Sequence, residues 1–194
     1  MRVAIVKYNA GNTVSVANAL HRLGVEPVVT DSADELISAD KVIFPGVGEA
    51  STAMAYLRER GLDAVIKSLT RPVLGICLGM QLMCSYSEEN ETDCLGILPY
   101  RVRQFVSDTL KVPHTGWNRI SGLRSPLFAG IAEGSHVYFV HGYYVETGTE
   151  TTAVTEYGVE FSAGAHRNNF HAIQFHPEKS GEVGARILEN FIKI

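Results

Sequence analysis

The chain has 194 residues, of which 45% are hydrophobic, with 17 Lys and Arg against 21 Asp and Glu. That length suits one well-packed domain over residues 1–194, because two independent domains of half the size would each be marginal. A formal net charge of −4, with no basic tract longer than two residues, argues against a general nucleic-acid surface. Three cysteines at 77, 84 and 94 cannot all pair, and no Cys-x-x-Cys occurs, which favours a reducing cytosol and gives no zinc signature. No run approaches the roughly 18 apolar residues of a membrane span, and the first residues read as a strand rather than a leader. The expectation is a compact, soluble, cytoplasmic protein.

In the first half, strand-like and helix-like segments alternate. Residues 3–7 read as a strand, and 13–23 carry apolar residues at helical spacing up to Gly24. Residues 25–30 form a second strand, 31–39 a short helix capped by Asp31 or Ser32, and 41–44 a third strand stopping at Pro45-Gly46. Residues 50–60 and 62–69 are helical, and 73–76 make a strand that leads into a tight turn. Short strands separated by helices indicate parallel βαβ units. The second half changes character: 100–106, 110–112, 137–145, 151–155 and 170–175 read as antiparallel or mixed strands extending the sheet, and 181–192 as a closing amphipathic helix. The predicted architecture is a three-layer α/β fold with a mixed, mostly parallel central sheet. Ligands in such folds sit at the carboxyl ends of the strands.

The turn after residue 76 carries the chemistry. In Gly75-Ile76-Cys77-Leu78-Gly79 a cysteine is flanked at i−2 and i+2 by glycine, between strand and helix, which is the form of a nucleophile elbow. A thiolate there would sit at a helix start, where backbone N–H groups favour charge and can cradle an oxyanion; the plainer alternative is a buried structural cysteine. Such a thiol needs an imidazole, and the imidazole a carboxylate. His176-Pro177-Glu178 follows the strand-like 172–175 directly, so an extended i, i+2 pair would deliver both groups to the same strand end. Pro45-Gly46-Val47-Gly48-Glu49, after the third strand, is a turn whose small residues let backbone amides approach a substrate. It lacks the Gly-Lys-Ser/Thr of a phosphate loop and the third glycine of a dinucleotide fingerprint. Cys84 and Cys94 lack elbow glycines and read as buried hydrophobes, and His114 and His166 have no assignable partner.

Together, Gly75 to Gln81 and His176-Pro177-Glu178 resemble the class I, triad-type glutamine amidotransferases, whose fold is flavodoxin-like. The stretches 8–12, 45–48, 113–118, 138–141 and 176–180 further resemble the glutaminase subunits of imidazole glycerol phosphate synthase, a histidine-biosynthesis enzyme. The resemblance implies that Cys77 attacks the glutamine amide, that His176 relays protons, and that Glu178 orients His176. It implies an oxyanion hole from the Leu78 amide and an amide of the Val47-Gly48 loop. Gly46, Gln81, Glu89, His141, Gly142 and Tyr143 would bind glutamine, with no metal and no cofactor. It further implies a heterodimer with a (β/α)8-barrel cyclase subunit, faced by Asn12, Trp117, Tyr138 and Lys179, which uses the ammonia to make imidazole glycerol phosphate and an aminoimidazole carboxamide ribonucleotide. Asn9, Thr115 and Gly142 depart from common family residues, and Gly142 removes a hydroxyl from the expected glutamine pocket. Competing readings are an amidotransferase of pyridoxal phosphate or purine synthesis, a catalytically silent subunit on the same scaffold, and a flavodoxin-like nucleotide binder.

Overall fold

A computed structural model describes residues 1–194. In chain order the elements are β1 (Val3–Val6), α1 (Thr13–Arg22), β2 (Pro27–Thr30), α2 (Ala33–Ser38), β3 (Lys41–Gly46), α3 (Ala50–Glu59), α4 (Leu62–Ser68), β4 (Val73–Cys77) and α5 (Leu78–Met83). There follow β5 (Tyr86–Ser87), β6 (Thr92–Asp93), β7 (Arg101–Gln104), β8 (His114–Arg119), β9 (His136–His141) and β10 (Tyr143–Val145). The chain closes with β11 (Thr151–Glu156), β12 (Glu160–Arg167), β13 (Phe170–Ile173) and α6 (Gly181–Lys193).

The central sheet has the order β11-β12-β13-β4-β3-β1-β2. From β2 to β13 its neighbours pair in parallel, and β12 runs antiparallel to both β13 and β11. The central strands are mostly apolar, Lys41 of β3 and His171 of β13 apart, because helices cover both faces. Alternate residues of β1 show the two sides: Ala4 and Val6 pack with α2 to α5, Val3 and Ile5 with α1 and α6. α2 starts where expected, with the Ser32 hydroxyl accepting from the Glu35 amide at 3.4 Å. α6 turns Ile187, Leu188 and Phe191 into the core.

The second half departs from expectation. Only β11, β12 and β13 extend the main sheet; β10-β7-β5-β6 and β8-β9 are separate small sheets. Residues 110–112 form no strand, whereas β8 and β12 do. The run 137–145 is two strands in different sheets: β9 pairs with β8, β10 pairs with β7, and Gly142 is the changeover. Alternation reports that residues are extended but not which neighbour supplies their hydrogen bonds. β3 also runs on through Pro45-Gly46, which pair with Ile76 and Cys77 after the ladder to β1 has ended at Ile43. That extension sets residues 46–48 beside Cys77.

Candidate active site

β4 ends at Cys77 and α5 begins at Leu78, so the strand becomes helix with no intervening loop. Cys77 sits at φ 53°, ψ −109°, a conformation that costs a non-glycine residue of order 1–3 kcal/mol. Packing holds it there. A Cβ on Gly79 would overlap the Phe44 carbonyl of β3, and one on Gly46 would meet the Tyr8 hydroxyl and the Leu78 side chain. Both positions are closed to any side chain, which presses the elbow against β3. The Cys77 side chain is buried, with Sγ 3.9 Å from the Val140 carbonyl oxygen and 3.6 Å from Gln174 Nε2. Leu78 opens α5, so its amide has no partner within the helix.

His176 and Glu178 follow β13 and lie behind Cys77, each side chain 1% exposed. His176 Nδ1 and Glu178 Oε1 are 2.8 Å apart. The reason differs from the extended pair expected from the sequence: the strand ends at Ile173, and Pro177–Lys179 is a 3-10 turn with proline in its first position. Proline's fixed φ suits that position. The turn is closed by the Lys179 amide and the Ser180 hydroxyl, both donating to the His176 carbonyl, at 3.1 and 2.6 Å. Burial alone pulls the His176 imidazole down, but the adjacent Cys77 sulfur and the Glu178 carboxylate outweigh it and push it up to about 10. The imidazole is therefore a proton holder whose charge depends on the thiol. Asn12 Nδ2 also donates to Glu178 Oε1, at 3.0 Å.

Cys77 opens onto a cavity of about 480 Å³ that is lined also by Val47, Gly48, Leu78, Gln81, Glu89, Val140, His141, Gly142, Tyr143 and Lys179. Of the residues expected to bind glutamine, only Gly46 stays out of it, buried beneath Leu78 and Tyr8. Several of the others have commitments that the sequence did not disclose. Gln81 Nε2 donates to the Tyr143 carbonyl at 2.9 Å and to Gln174 Oε1 at 3.0 Å. Glu89 Oε2 accepts from the Ala50 amide at the start of α3, 2.7 Å, while burial pushes its carboxyl up. The Val47 amide donates to the Ala10 carbonyl, 2.5 Å, and so is not free to face the sulfur. Gly48 follows at φ +113°, a value that glycine alone adopts readily. The Gly142 position is open, with nothing within 4 Å of where a Cβ would stand.

The four residues expected to face a partner are divided. Trp117 on β8 is 56% exposed and meets Tyr138 of the paired strand β9 edge-on, at 6.0 Å between ring centroids. Lys179 Nζ lies 5.8 Å from the centre of the Tyr138 ring while also lining the cavity. Asn12 instead reaches inward to Glu178. Two polar residues beside the site had no role assigned to them from the sequence. His114, left without a partner, is 3.0 Å from His141. Gln174 looked like one residue of a strand; its only signal was a polar side chain in the apolar run Ala172 to Phe175. Cys84 is fully buried and Cys94 half-buried, both thiols pushed up by burial. No group of three or more His, Cys, Asp or Glu is arranged to hold a metal ion.

A strained cysteine elbow on a mixed α/β sheet, backed by a buried His–Glu pair, agrees with the family comparison: the description "Glutamine amidotransferase class-I" matches residues 4–194, and the chain belongs to that family. It is 58% identical to an imidazole glycerol phosphate synthase subunit HisH of Bacteroides fragilis over the full length of both chains. It is 47% identical to the HisH subunit of Pasteurella multocida, over 98% of this chain and 97% of that one. Among solved structures, a putative GMP synthase subunit from Thermoplasma acidophilum superposes with a TM-score of 0.77 at 22% identity, over 100% and 93% of the two chains. That likeness concerns the fold, which is the class I amidotransferase fold. No helix is long and apolar enough to cross a membrane.

Proposed function

We infer that this chain is the glutaminase subunit of an imidazole glycerol phosphate synthase, one domain across residues 1–194, releasing ammonia from glutamine through a thioester on Cys77. The carrying observation is the buried His176–Glu178 pair behind a strained cysteine at the wall of a cavity, in a chain 58% identical to a HisH subunit.

In this reading His176 takes the Cys77 proton through Nε2, and the thiolate attacks the side-chain carbonyl carbon of glutamine. Charge gathers on the carbonyl oxygen, which the Leu78 amide meets at once. A second donor from Val47-Gly48 becomes available when the Val47 amide leaves Ala10, a peptide rotation that the adjoining glycine permits. Collapse of the tetrahedral adduct breaks the C–N bond, and His176 returns its proton to the departing nitrogen. Water then attacks the thioester with His176 as base, giving glutamate and the free thiol. Gln81, with both amide protons committed, offers its Oε1 to the substrate's ammonium group. Glu89, His141, Gly142 and Tyr143 complete the pocket wall. His141 does so as a neutral ring, because burial holds it down to about 3.

The ammonia passes to a (β/α)8-barrel cyclase subunit in a heterodimer. Trp117, Tyr138 and Lys179 fit its docking surface, since an exposed tryptophan braced by a second aromatic ring has the form of an interface anchor. Cys77→Ala tests the reading: with cyclase and ribonucleotide present, glutamine-dependent turnover is abolished and ammonia-dependent turnover persists. Retained use of glutamine refutes it.

A further inference from the structure

The Tyr143 carbonyl oxygen can only accept hydrogen bonds, and two side chains reach it: His141 Nδ1 at 2.7 Å and Gln81 Nε2 at 2.9 Å. Both must donate. His141 therefore carries its proton on Nδ1 and, as a neutral ring, presents a lone pair at Nε2. His114 Nδ1, 3.0 Å away, must supply the proton there, so its own Nε2 accepts from Asn118 Nδ2 at 3.3 Å. On the other side of the carbonyl, Gln81 Nε2 lies 3.0 Å from the end of the Gln174 side chain, and its second proton requires an oxygen there. The Gln174 NH2 is left facing Cys77 Sγ at 3.6 Å. Rotating this amide by half a turn would set NH2 against NH2 on one side and oxygen against sulfur on the other. Gln174 is fully buried, so no water competes for either end.

We propose that Gln174 is a further member of the active site, its amide N–H locked toward Cys77 so that it donates to the thiolate; the Tyr143 carbonyl and Gln81 form the lock, and the Asn118–His114–His141 chain ends on that same carbonyl. This rests on the reading of Cys77 as the nucleophile. A hydrogen bond to an ionised acceptor strengthens as charge forms, so the donor favours the thiolate over the thiol. It acts beside His176 after β13, and the other ionisable groups facing the sulfur are the buried Tyr8 phenol after β1 and His141 on β9, with Glu89 and Lys179 across the cavity.

The test is the pH dependence of Cys77 alkylation by iodoacetamide in the full-length chain, read at the Cys77 peptide by mass spectrometry. Gln174→Met keeps length and removes the donor; Gln174→Glu keeps the bond from Gln81 and turns a carboxylate oxygen to the sulfur. The alkylation midpoint is expected to rise by about one pH unit in Gln174→Met and further in Gln174→Glu. A purely structural glutamine would lower the melting temperature and leave the Gln174→Met midpoint at the wild-type value, which overturns the proposal; Gln174→Glu, whose carboxylate opposes the thiolate in any case, checks only that the side chain faces the sulfur. In the wild-type protein, whose folding is not in question, the Gln174 side-chain amide proton resonance shifts as the thiol ionises and is flat in Cys77→Ala; no shift in wild type likewise overturns it. Glutamine hydrolysis by Cys77→Ala would instead sink the nucleophile reading, whereas an inactive Cys77→Ala with an unmoved Gln174→Met midpoint sinks Gln174 alone.

Discussion

Asn12 Nδ2 donates to Glu178 Oε1 at 3.0 Å, on the same carboxylate oxygen that meets His176 Nδ1 at 2.8 Å. Asn12 lies at the start of α1, in the loop after β1, and 166 residues separate it from Glu178. The same loop supplies the Ala10 carbonyl that holds the Val47 amide. One surface segment thus touches both the carboxylate end of the His–Glu pair and the candidate oxyanion loop. A partner seated on that segment would act on both at once.

Removing the Asn12 donor leaves Glu178 Oε1 with His176 alone. With saturating cyclase and ligand, Asn12→Ala is expected to lower kcat for glutamate formation roughly ten-fold, about 1.4 kcal/mol, with KM for glutamine little changed. Asn12→Asp sets two carboxylates together and should lose more. A KM effect without a kcat effect would show that Asn12 serves only the pocket or the interface.

The Val47 amide is paired with the Ala10 carbonyl and has to be released before it can face the sulfur, so the isolated chain should hydrolyse glutamine slowly. Hydrogen exchange reports the pairing directly: the Val47 amide is expected to be protected in the free chain and deprotected when cyclase and its ligand bind. Rapid exchange at Val47 in the free chain, or brisk glutaminase activity without partner, contradicts this.

Burial pushes His114 and His171 down to about 4 and His141 to about 3, whereas in the unfolded chain each sits near 6.5. Between pH 6.5 and about 4 the unfolded state therefore binds protons that the folded state refuses, so stability is lost as pH falls. His176, raised in the fold, is protonated in both states through most of that window and adds little slope. Urea unfolding at pH 6.5 and 5 should show the decline, and His114→Phe should flatten it by about 1.4 kcal/mol per pH unit at most. An unchanged slope would mean that His114 is not held neutral.

Gly79→Ala places a methyl group on the Phe44 carbonyl between β3 and α5. The elbow must shift, with a loss of about 2–3 kcal/mol in stability by the same urea assay and a larger proportional loss of activity. A variant of wild-type stability would show that the elbow is not held by its contact with β3.

The elbow was legible in the sequence because its requirements are local. Gly75 and Gly79 frame Cys77 within five residues, and a strand-to-helix reversal that tight excludes side chains. The βαβ first half was legible for the same reason: its apolar periods and the Ser32 cap are short-range signals. The second half was not. Residues 137–145 look like one strand, but Gly142 passes the chain between two sheets.

What the chain determined by itself is therefore the kind of chemistry: a strained thiol after β4, and a histidine and a glutamate two residues apart after β13. Their mutual approach, however, comes from the 3-10 turn at Pro177 and not from an extended segment. Only the tertiary structure decided which polar atoms remain free. Gln81 meets Gln174 across 93 residues, His114 meets His141 across 27, and Asn12 meets Glu178 across 166. Buried donors and acceptors must be satisfied wherever the packing puts them. Those pairings depend on the register between strands and on how three sheets abut, quantities that no local residue pattern encodes.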